Sequence, residues 1–367
     1  MPLDQIEDAI EAVREGHLIV VVDDDDRENE GDLIMAAAKA TPEQVAFMIR
    51  HTSGILCTPL PAETAERLRL QPMVASNDAP LTTAFTVSVD CRRGLTTGIS
   101  ARERTATIRA LADEESTAED FVRPGHIFPL IGREGGVLVR SGHTEAAIDL
   151  ARLAGLPPVG VLAELVNDDG TVKRLPDLRR FARTHGLKII SIADLIAYRQ
   201  QREHLISRLA EFPIETPAGP ARAIVYATPF EAMQHLALVL GEIGDGRDVP
   251  ARIQRENPLA DLFEAPPDAA DNSVIRALNR LAAQERGVLI YLREPRVAPP
   301  ASTIAEEAKD EGHGSARARR EQWREVGIGA QILRDLGITS IRLLATHHRH
   351  YVGLSGFGIE ITSTELF

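Results

Sequence analysis

Apolar residues at Leu3, Ile6, Ile10 and Val13 recur at helical spacing and stop before Gly16, which predicts an amphipathic helix closed by a glycine. Leu18 to Val22 is an unbroken run rich in β-branched side chains, the pattern of a buried strand. Thr41-Pro42-Glu43-Gln44 supplies an N-cap, a proline at the first helical position and a capping-box glutamine, so a helix is expected to about Arg50. Phe85, Val87 and Val89 alternate with polar residues as a half-buried strand, and Ser100-Ala101-Arg102-Glu103 is a second capping box opening a helix to about Ala112. Val137 to Arg140 reads as a strand end. Ser141-Gly142-His143-Thr144 then turns into a helix whose Ala147, Leu150, Ala151 and Ala154 share a face.

Pro157-Pro158 separates that helix from a strand over 159–166, in which Val159, Val161, Ala163 and Leu165 line one face and Glu164 stands on the other. A turn at Asn167-Asp168-Asp169-Gly170, a helix over 177–185, a glycine stop at Gly186, a strand over 187–192 and a helix from Ala193 to about Leu209 complete a first domain. A Pro-rich connector occupies 206–220. Beyond it the pattern predicts strands over 221–226 and 235–240, a helix over 272–285 and a strand over 287–292. A helix over 328–336 and a strand over 338–345 follow, with 294–325 polar and irregular. The domains expected are therefore 1–205 and 221–367.

Composition narrows the function classes. The 367 residues are 44% hydrophobic and 26% charged, ordinary for a globular protein. A formal net charge of −13 argues against nucleic acid or an anionic membrane as partner, since both need a cationic footprint. Two cysteines, Cys57 and Cys91, exclude a disulfide framework or a thiolate zinc cage and read as buried thiols. The acidic start MPLDQIED lacks the features of a signal peptide, and no segment approaches the ~18 apolar residues of a membrane span. A cytoplasmic location is expected.

The chemistry concentrates where the apolar run 18–22 ends in Asp-Asp-Asp-Asp-Arg-Glu-Asn-Glu-Gly-Asp. Most acidic clusters are solvated faces. This one follows a buried strand, carries Arg27 among carboxylates and must be compensated by a cation, a metal or sugar hydroxyls. Further along, Arg123-Pro124-Gly125-His126 fixes a turn beside a histidine able to titrate near neutral pH, although a lone turn histidine is more often structural. Arg140 before the turn into the helix of His143 and Thr144 makes a candidate phosphate seat, because free amides and the helix dipole converge there. The plainer alternative is that Thr144 caps and His143 packs. Glu164, a carboxylate in an apolar strand, suits acid or base work or else satisfies an arginine.

Taken together, DDDDRENEGD, RPGH followed by IFPL, RSGHTEA and LAELVNDDG resemble 3,4-dihydroxy-2-butanone 4-phosphate synthase of riboflavin biosynthesis, over residues 1 to about 205. The resemblance implies a homodimer of α+β subunits that converts D-ribulose 5-phosphate into L-3,4-dihydroxy-2-butanone 4-phosphate and formate, using Mg2+ or Mn2+. It implies Glu28 and His143 as metal ligands, Arg140 and Thr144 on the phosphate with Arg27 near the sugar, Asp32 and Glu164 as proton carriers, and His126 as an assisting group.

The second half is similar to GTP cyclohydrolase II through ERGVLIYLRE, VGIGAQILRDLG and HYVGLSGFG. The cysteines of that frame are replaced near Asn257, Asp268 and Ala270, so no zinc is expected. Gln322 and Arg324 stand where the frame has an Asp-x-Arg pair, and Pro295 to Pro300 replace its glycine-rich segment. The expectation is an α/β domain without cyclohydrolase activity. The alternatives are a bifunctional enzyme that also opens GTP, and a non-catalytic scaffold of the riboflavin pathway.

Overall fold

The structure is a computed structural model. It describes residues 3–23, 27–229, 231–258, 261, 273–293, 323–345 and 354–366. The expectations resting on Asp24 to Asp26, Asp268, Ala270, Pro295 to Pro300 and Gln322, and on the start of HYVGLSGFG, lie outside those residues. The chain divides into two compact units, the first ending at Arg199 and the second beginning at Gln200.

The first unit is built on a seven-stranded sheet in the order β4-β5-β3-β6-β2-β1-β7. The helix α1 (Ile6–Glu15) ends at Gly16 in the left-handed conformation, as its pattern predicts. β1 (Ile19–Val22) is wholly buried and returns at once as β2 (Gly31–Ala36), antiparallel, with Val22 opposite Gly31. The acidic string is thus the connection of a β-hairpin. β2 was not expected from the pattern, because GDLIMA is buried on both faces and shows no alternation. α2 (Pro42–His51) carries the full capping box of Thr41 and Gln44. β3 (Cys57–Leu60) and α3 (Ala62–Arg67) follow, and the half-buried strand expected from Phe85 is shortened to β4 (Val89–Cys91).

In α4 (Ala101–Ala112) the Ser100 hydroxyl accepts from the Glu103 amide, but Glu103 gathers Thr96 and Gly98 amides instead of closing the expected box. β5 (Phe121–Ile131) runs straight through Arg123-Pro124-Gly125-His126, correcting the expected turn. The segment is carried between residues that pair on either side of it, 121, 122 and 127 with β4 and 128–131 with β3. The expected strand end at Val137 is likewise a short 3-10 turn, Gly136–Leu138, because the Asp149 carboxylate accepts from the Val137 amide and folds the segment back. α5 (His143–Leu153) and β6 (Gly160–Glu164) come next, with β6 antiparallel to β2. α6 (Leu175–His185), β7 (Lys188–Ser191) and α7 (Ile192–Arg202) close the series.

The last helix ends well before Leu209. The supposed connector is instead the strand β8 (Ser207–Thr216), which turns at Gly219 into β9 (Gly219–Thr228) with Thr216 opposite Gly219. Cross-strand pairing outweighs the prolines here because Pro213 and Pro220 sit on or next to an edge strand, where a lost amide donor costs little. The second unit is another seven-stranded sheet, β14-β13-β11-β12-β10-β9-β8, completed by β10 (Glu231–Leu240), β11 (Val249–Arg255), β12 (Gly287–Leu292), β13 (Ser340–Ala345) and β14 (Glu360–Leu366). β11, β12, β13 and β14 pair in parallel. The helices α8 (Ser273–Ala282) and α9 (Gly329–Asp335) correspond to the two expected, α9 entered through a π-helical turn, Trp323–Ile328. Both units mix helices with sheets, in agreement with the α+β reading. No helix among the described residues is long and apolar enough to cross a membrane.

Candidate active site

Strand register sets the centre. Asp32 on β2 lies directly opposite Glu164 on β6, so both side chains emerge on one face of the sheet about 5 Å apart at Cβ. Gly31 beside them is required for packing: a Cβ there would lie 2.5 Å from Leu178 Cδ1 of α6. Asp32 is 3% exposed, and its Oδ1 is buried with no hydrogen-bond partner among the described residues. Burial, with the negative charges of Glu164, Glu28 and Glu30, pushes its carboxyl up to about 8 against the pull of His143. Glu164 is half-buried and accepts from Ser53 Oγ at 2.7 Å, not from an arginine. The pairing of Ser53 with Glu164, 111 residues apart, leaves no mark in the local sequence pattern.

The hairpin loop adds the charged groups. Asp23 is consumed as a staple: its carboxylate accepts from the Glu28 and Glu30 amides at 3.0 and 2.8 Å and from Arg27 Nη1 at 3.0 Å. Arg27 Nη1 also donates to Glu28 Oε2 at 2.6 Å, so the one cation of the string offsets two of its carboxylates. Arg174 donates to the carbonyls of Glu28 and Asn29, fixing the far side of the loop. Glu28 Oε2 then stands 3.5 Å from Nδ1 of His143, the first residue of α5. Burial acts against the charge on Glu28, but the hydrogen bond from His143 and the charges of Arg27 and His143 hold its carboxyl down to about 2. Burial also disfavours charge on His143, yet Asp32 and Glu28 raise it to about 9.

These groups fit a hard divalent cation. His143 Nε2 lies 3.2 Å from the Val21 carbonyl, the contact that fixes a ligand histidine with its other nitrogen free. Glu28 and His143 present one carboxylate oxygen and one imidazole nitrogen, and with Asp23 their ligand atoms lie within 4.8 Å of one another. Two such side chains beside a buried orphan carboxylate oxygen would leave room for water and substrate oxygens around an ion, an arrangement that suits Mg2+.

Arg140 and Thr144 are both buried at the head of α5. Thr144 does not cap: Gly142 is the N-cap, and no side chain caps the first turn. The Arg140 guanidinium is held by Glu145 Oε2 at 2.7 Å, the Leu81 carbonyl at 3.1 Å and Thr83 Oγ1 at 3.2 Å. Glu145, 1% exposed, was missed by the sequence reading although it stands inside RSGHTEA. His126 does not join the cluster of Asp32, Glu164, Glu28 and His143 within its own chain. Cys57 of β3 pairs with both Leu162 of β6 and Phe128 of β5, so His126 lies three strands from Asp32, on the order of 14 Å away. Cys57 is buried beneath the site, its thiol pushed up by burial and by Glu164 and Asp32, whereas Cys91 is only partly buried.

Residues 7–198 match the family 3,4-dihydroxy-2-butanone 4-phosphate synthase. The chain belongs to this family. Its second unit matches GTP cyclohydrolase II over 207–365. A two-domain 3,4-dihydroxy-2-butanone 4-phosphate synthase from A. baumannii, RibBX, is similar over 99% of this chain and 100% of its own, with TM-score 0.81 and 38% identity. A 3,4-dihydroxy-2-butanone 4-phosphate synthase in complex with two magnesium ions is 44% identical with TM-score 0.53, covering 55% of this chain and 98% of that one. Among curated relatives, the bifunctional riboflavin biosynthesis protein RIBA 1 and the monofunctional RIBA 2 of Arabidopsis thaliana, both chloroplastic, are each 48% identical over 97% of this chain and over 67% and 75% of their own. The protein is thus a synthase-family enzyme of riboflavin biosynthesis, followed in the chain by a cyclohydrolase II-type domain.

Proposed function

We propose that the first domain converts D-ribulose 5-phosphate into L-3,4-dihydroxy-2-butanone 4-phosphate and formate at the cluster of Asp32, Glu164, Glu28 and His143. The observation that carries this reading is the buried Asp32 carboxyl, with one oxygen unpartnered, facing Glu164 beside the Glu28 and His143 pair. Glu28 and His143 would hold the cation, Mg2+ or Mn2+. A bound divalent ion supplies positive charge that stabilises an enediolate and so makes a weakly acidic ketose proton removable.

The protein's own groups do the rest. Asp32, with its carboxyl raised toward neutrality, and Glu164, steadied by Ser53, exchange protons with the sugar carbons and hydroxyls as it enolises, loses water and rearranges. Arg140, splayed by Glu145 and Thr83, and Thr144 at the uncapped first turn of α5 receive the phosphate, and Arg27 orients the sugar end. The enzyme works as a cytoplasmic homodimer. His126, too distant from its own cluster, assists at the site of the second copy.

The second domain holds no zinc and does not open GTP in this reading. Its support is that the only two cysteines of the chain, Cys57 and Cys91, lie in the first unit. The bifunctional relatives motivate the opposite reading. Purified protein offered ribulose 5-phosphate with Mg2+, and separately GTP with Zn2+, is expected to release formate only from the pentulose. Formate from GTP would reinstate the bifunctional enzyme, and none from either would leave a scaffold.

A further inference from the structure

The structure surrounds His126 with more apparatus than a packing histidine needs. Asp90 on β4 is 3% exposed and gives both of its carboxylate oxygens to that one residue. Oδ1 accepts from the His126 backbone amide at 2.9 Å, and Oδ2 lies 2.7 Å from ring Nδ1. The register between β4 and β5 shifts between Val89 and Asp90, an irregularity of the kind that re-aims a side chain. Gly125 permits the approach, since a Cβ there would lie 2.0 Å from the Val89 carbonyl carbon.

A loop closes over the pair. At Gly98, φ +82°, an added Cβ would meet Asp90 Oδ2 at 2.1 Å and His126 Nδ1 at 2.7 Å, so backbone crosses directly above the carboxylate and imidazole. Glu103 holds the loop there, accepting from the Thr96 amide and hydroxyl at 2.7 Å each, the Gly98 amide at 3.2 Å and the Ser100 hydroxyl at 2.8 Å. Arg104, buried on α4, lies within electrostatic reach of Asp90. The far edge of the ring stays open, with the His126 side chain 40% exposed.

We propose that Asp90 is the positioning residue of His126, holding its proton on Nδ1 so that the exposed Nε2 is the nitrogen presented to the substrate. Asp90 is anchored by the His126 amide whatever the ring does, and an ionised carboxylate only accepts, so the short contact to the ring demands an Nδ1 proton. Neutral His126 then carries its lone pair on Nε2 and takes a proton there. The loop of Gly98 keeps water from competing for Asp90. This rests on the reading of His126 as part of the synthase machinery.

The experiment pairs a spectroscopic and a kinetic reading on the full-length enzyme. Nitrogen-15 NMR of the histidine side chains, with His126→Ala to assign the signal, is expected to show the Nδ1-protonated tautomer in the wild type and its reversal in Asp90→Asn, where the amide can donate to Nδ1. The same variant should lose kcat by roughly 10²–10⁴-fold with KM for ribulose 5-phosphate little changed. Gly98→Ala, which keeps the charge but crowds the contact, should fall between the two. A wild-type ring protonated on Nε2, or folded Asp90→Asn with unchanged kcat, overturns the proposal. If His126→Ala itself leaves turnover intact, the role given to His126 falls, while the tautomer signal still upholds or overturns the grip of Asp90.

Discussion

The two units arrange their polar side chains differently. In the first, Asp32 keeps an unpartnered oxygen beside Glu164, Glu28 and His143, a costly arrangement unless something outside the chain completes it. In the second, among the described residues, several polar groups are tied to one another, while buried atoms such as Thr228 Oγ1 and Gln284 Oε1 lack a partner there as well. Asp335 accepts from Tyr226 Oη and Arg208 Nε, both at 2.6 Å. Gln331 is tied to the Leu205 amide and the carbonyls of Gln200 and Glu203. The Asn257 amide donates to Asp261, which also accepts from Tyr291. The first unit gathers its orphan carboxylate oxygen with potential metal ligands, whereas among the described residues the second has no group of three His, Cys, Asp or Glu side chains placed to hold a metal.

The largest effect expected from breaking that contrast is at Glu164. Glu164→Gln keeps the shape and an acceptor for Ser53 but removes a proton carrier, so formate release should fall about 10²–10⁴-fold while the melting temperature holds. Next comes the Asp149 and Arg199 pair, 2.7 Å apart and almost fully buried, which with the Gly135 carbonyl braces the segment leading to Arg140. Arg199→Leu strands a buried carboxylate and should destabilise the first unit by about 3–5 kcal/mol in chemical denaturation.

A smaller effect follows from pH. In the metal-free protein the folded state keeps a proton on Asp32 to about pH 8 rather than 3.8, and on His143 to about pH 9 rather than 6.5. The folded state therefore binds more protons than the unfolded chain. Stability contributed by these two groups is greatest below the unfolded values and is lost as pH rises through 8 and 9. Mg2+ must displace the His143 proton, so its stabilising effect should grow over the same interval, and melting curves with and without Mg2+ at pH 7 and 9 should diverge. The smallest effect belongs to the second unit: Tyr226→Phe removes one hydrogen bond to Asp335, costs about 1 kcal/mol there and should leave formate release unchanged.

Much of this contrast was legible in the order of residues, and the remainder was not for identifiable reasons. The run 18–22 and the capping box at Thr41 report local preference, and both elements form where their patterns place them. β2 and β5 escaped because one lacks alternation and the other contains Pro-Gly, and both are made strands by neighbours distant in sequence. The acidic string and the helix of His143 could be recognised as chemistry. Asp90, Ser53 and Glu145 could not be paired with His126, Glu164 and Arg140, since those contacts are set by strand register and by a segment folding back. The connector over 206–220 failed as a reading because prolines at a sheet edge look the same as prolines in a linker.

Mn2+ binding followed by electron paramagnetic resonance, in wild type and Glu28→Gln side by side, addresses the central claim most directly. A saturable signal in the wild type that is lost in folded Glu28→Gln is the predicted result. Equal binding by the two proteins would place the metal elsewhere and contradict the account.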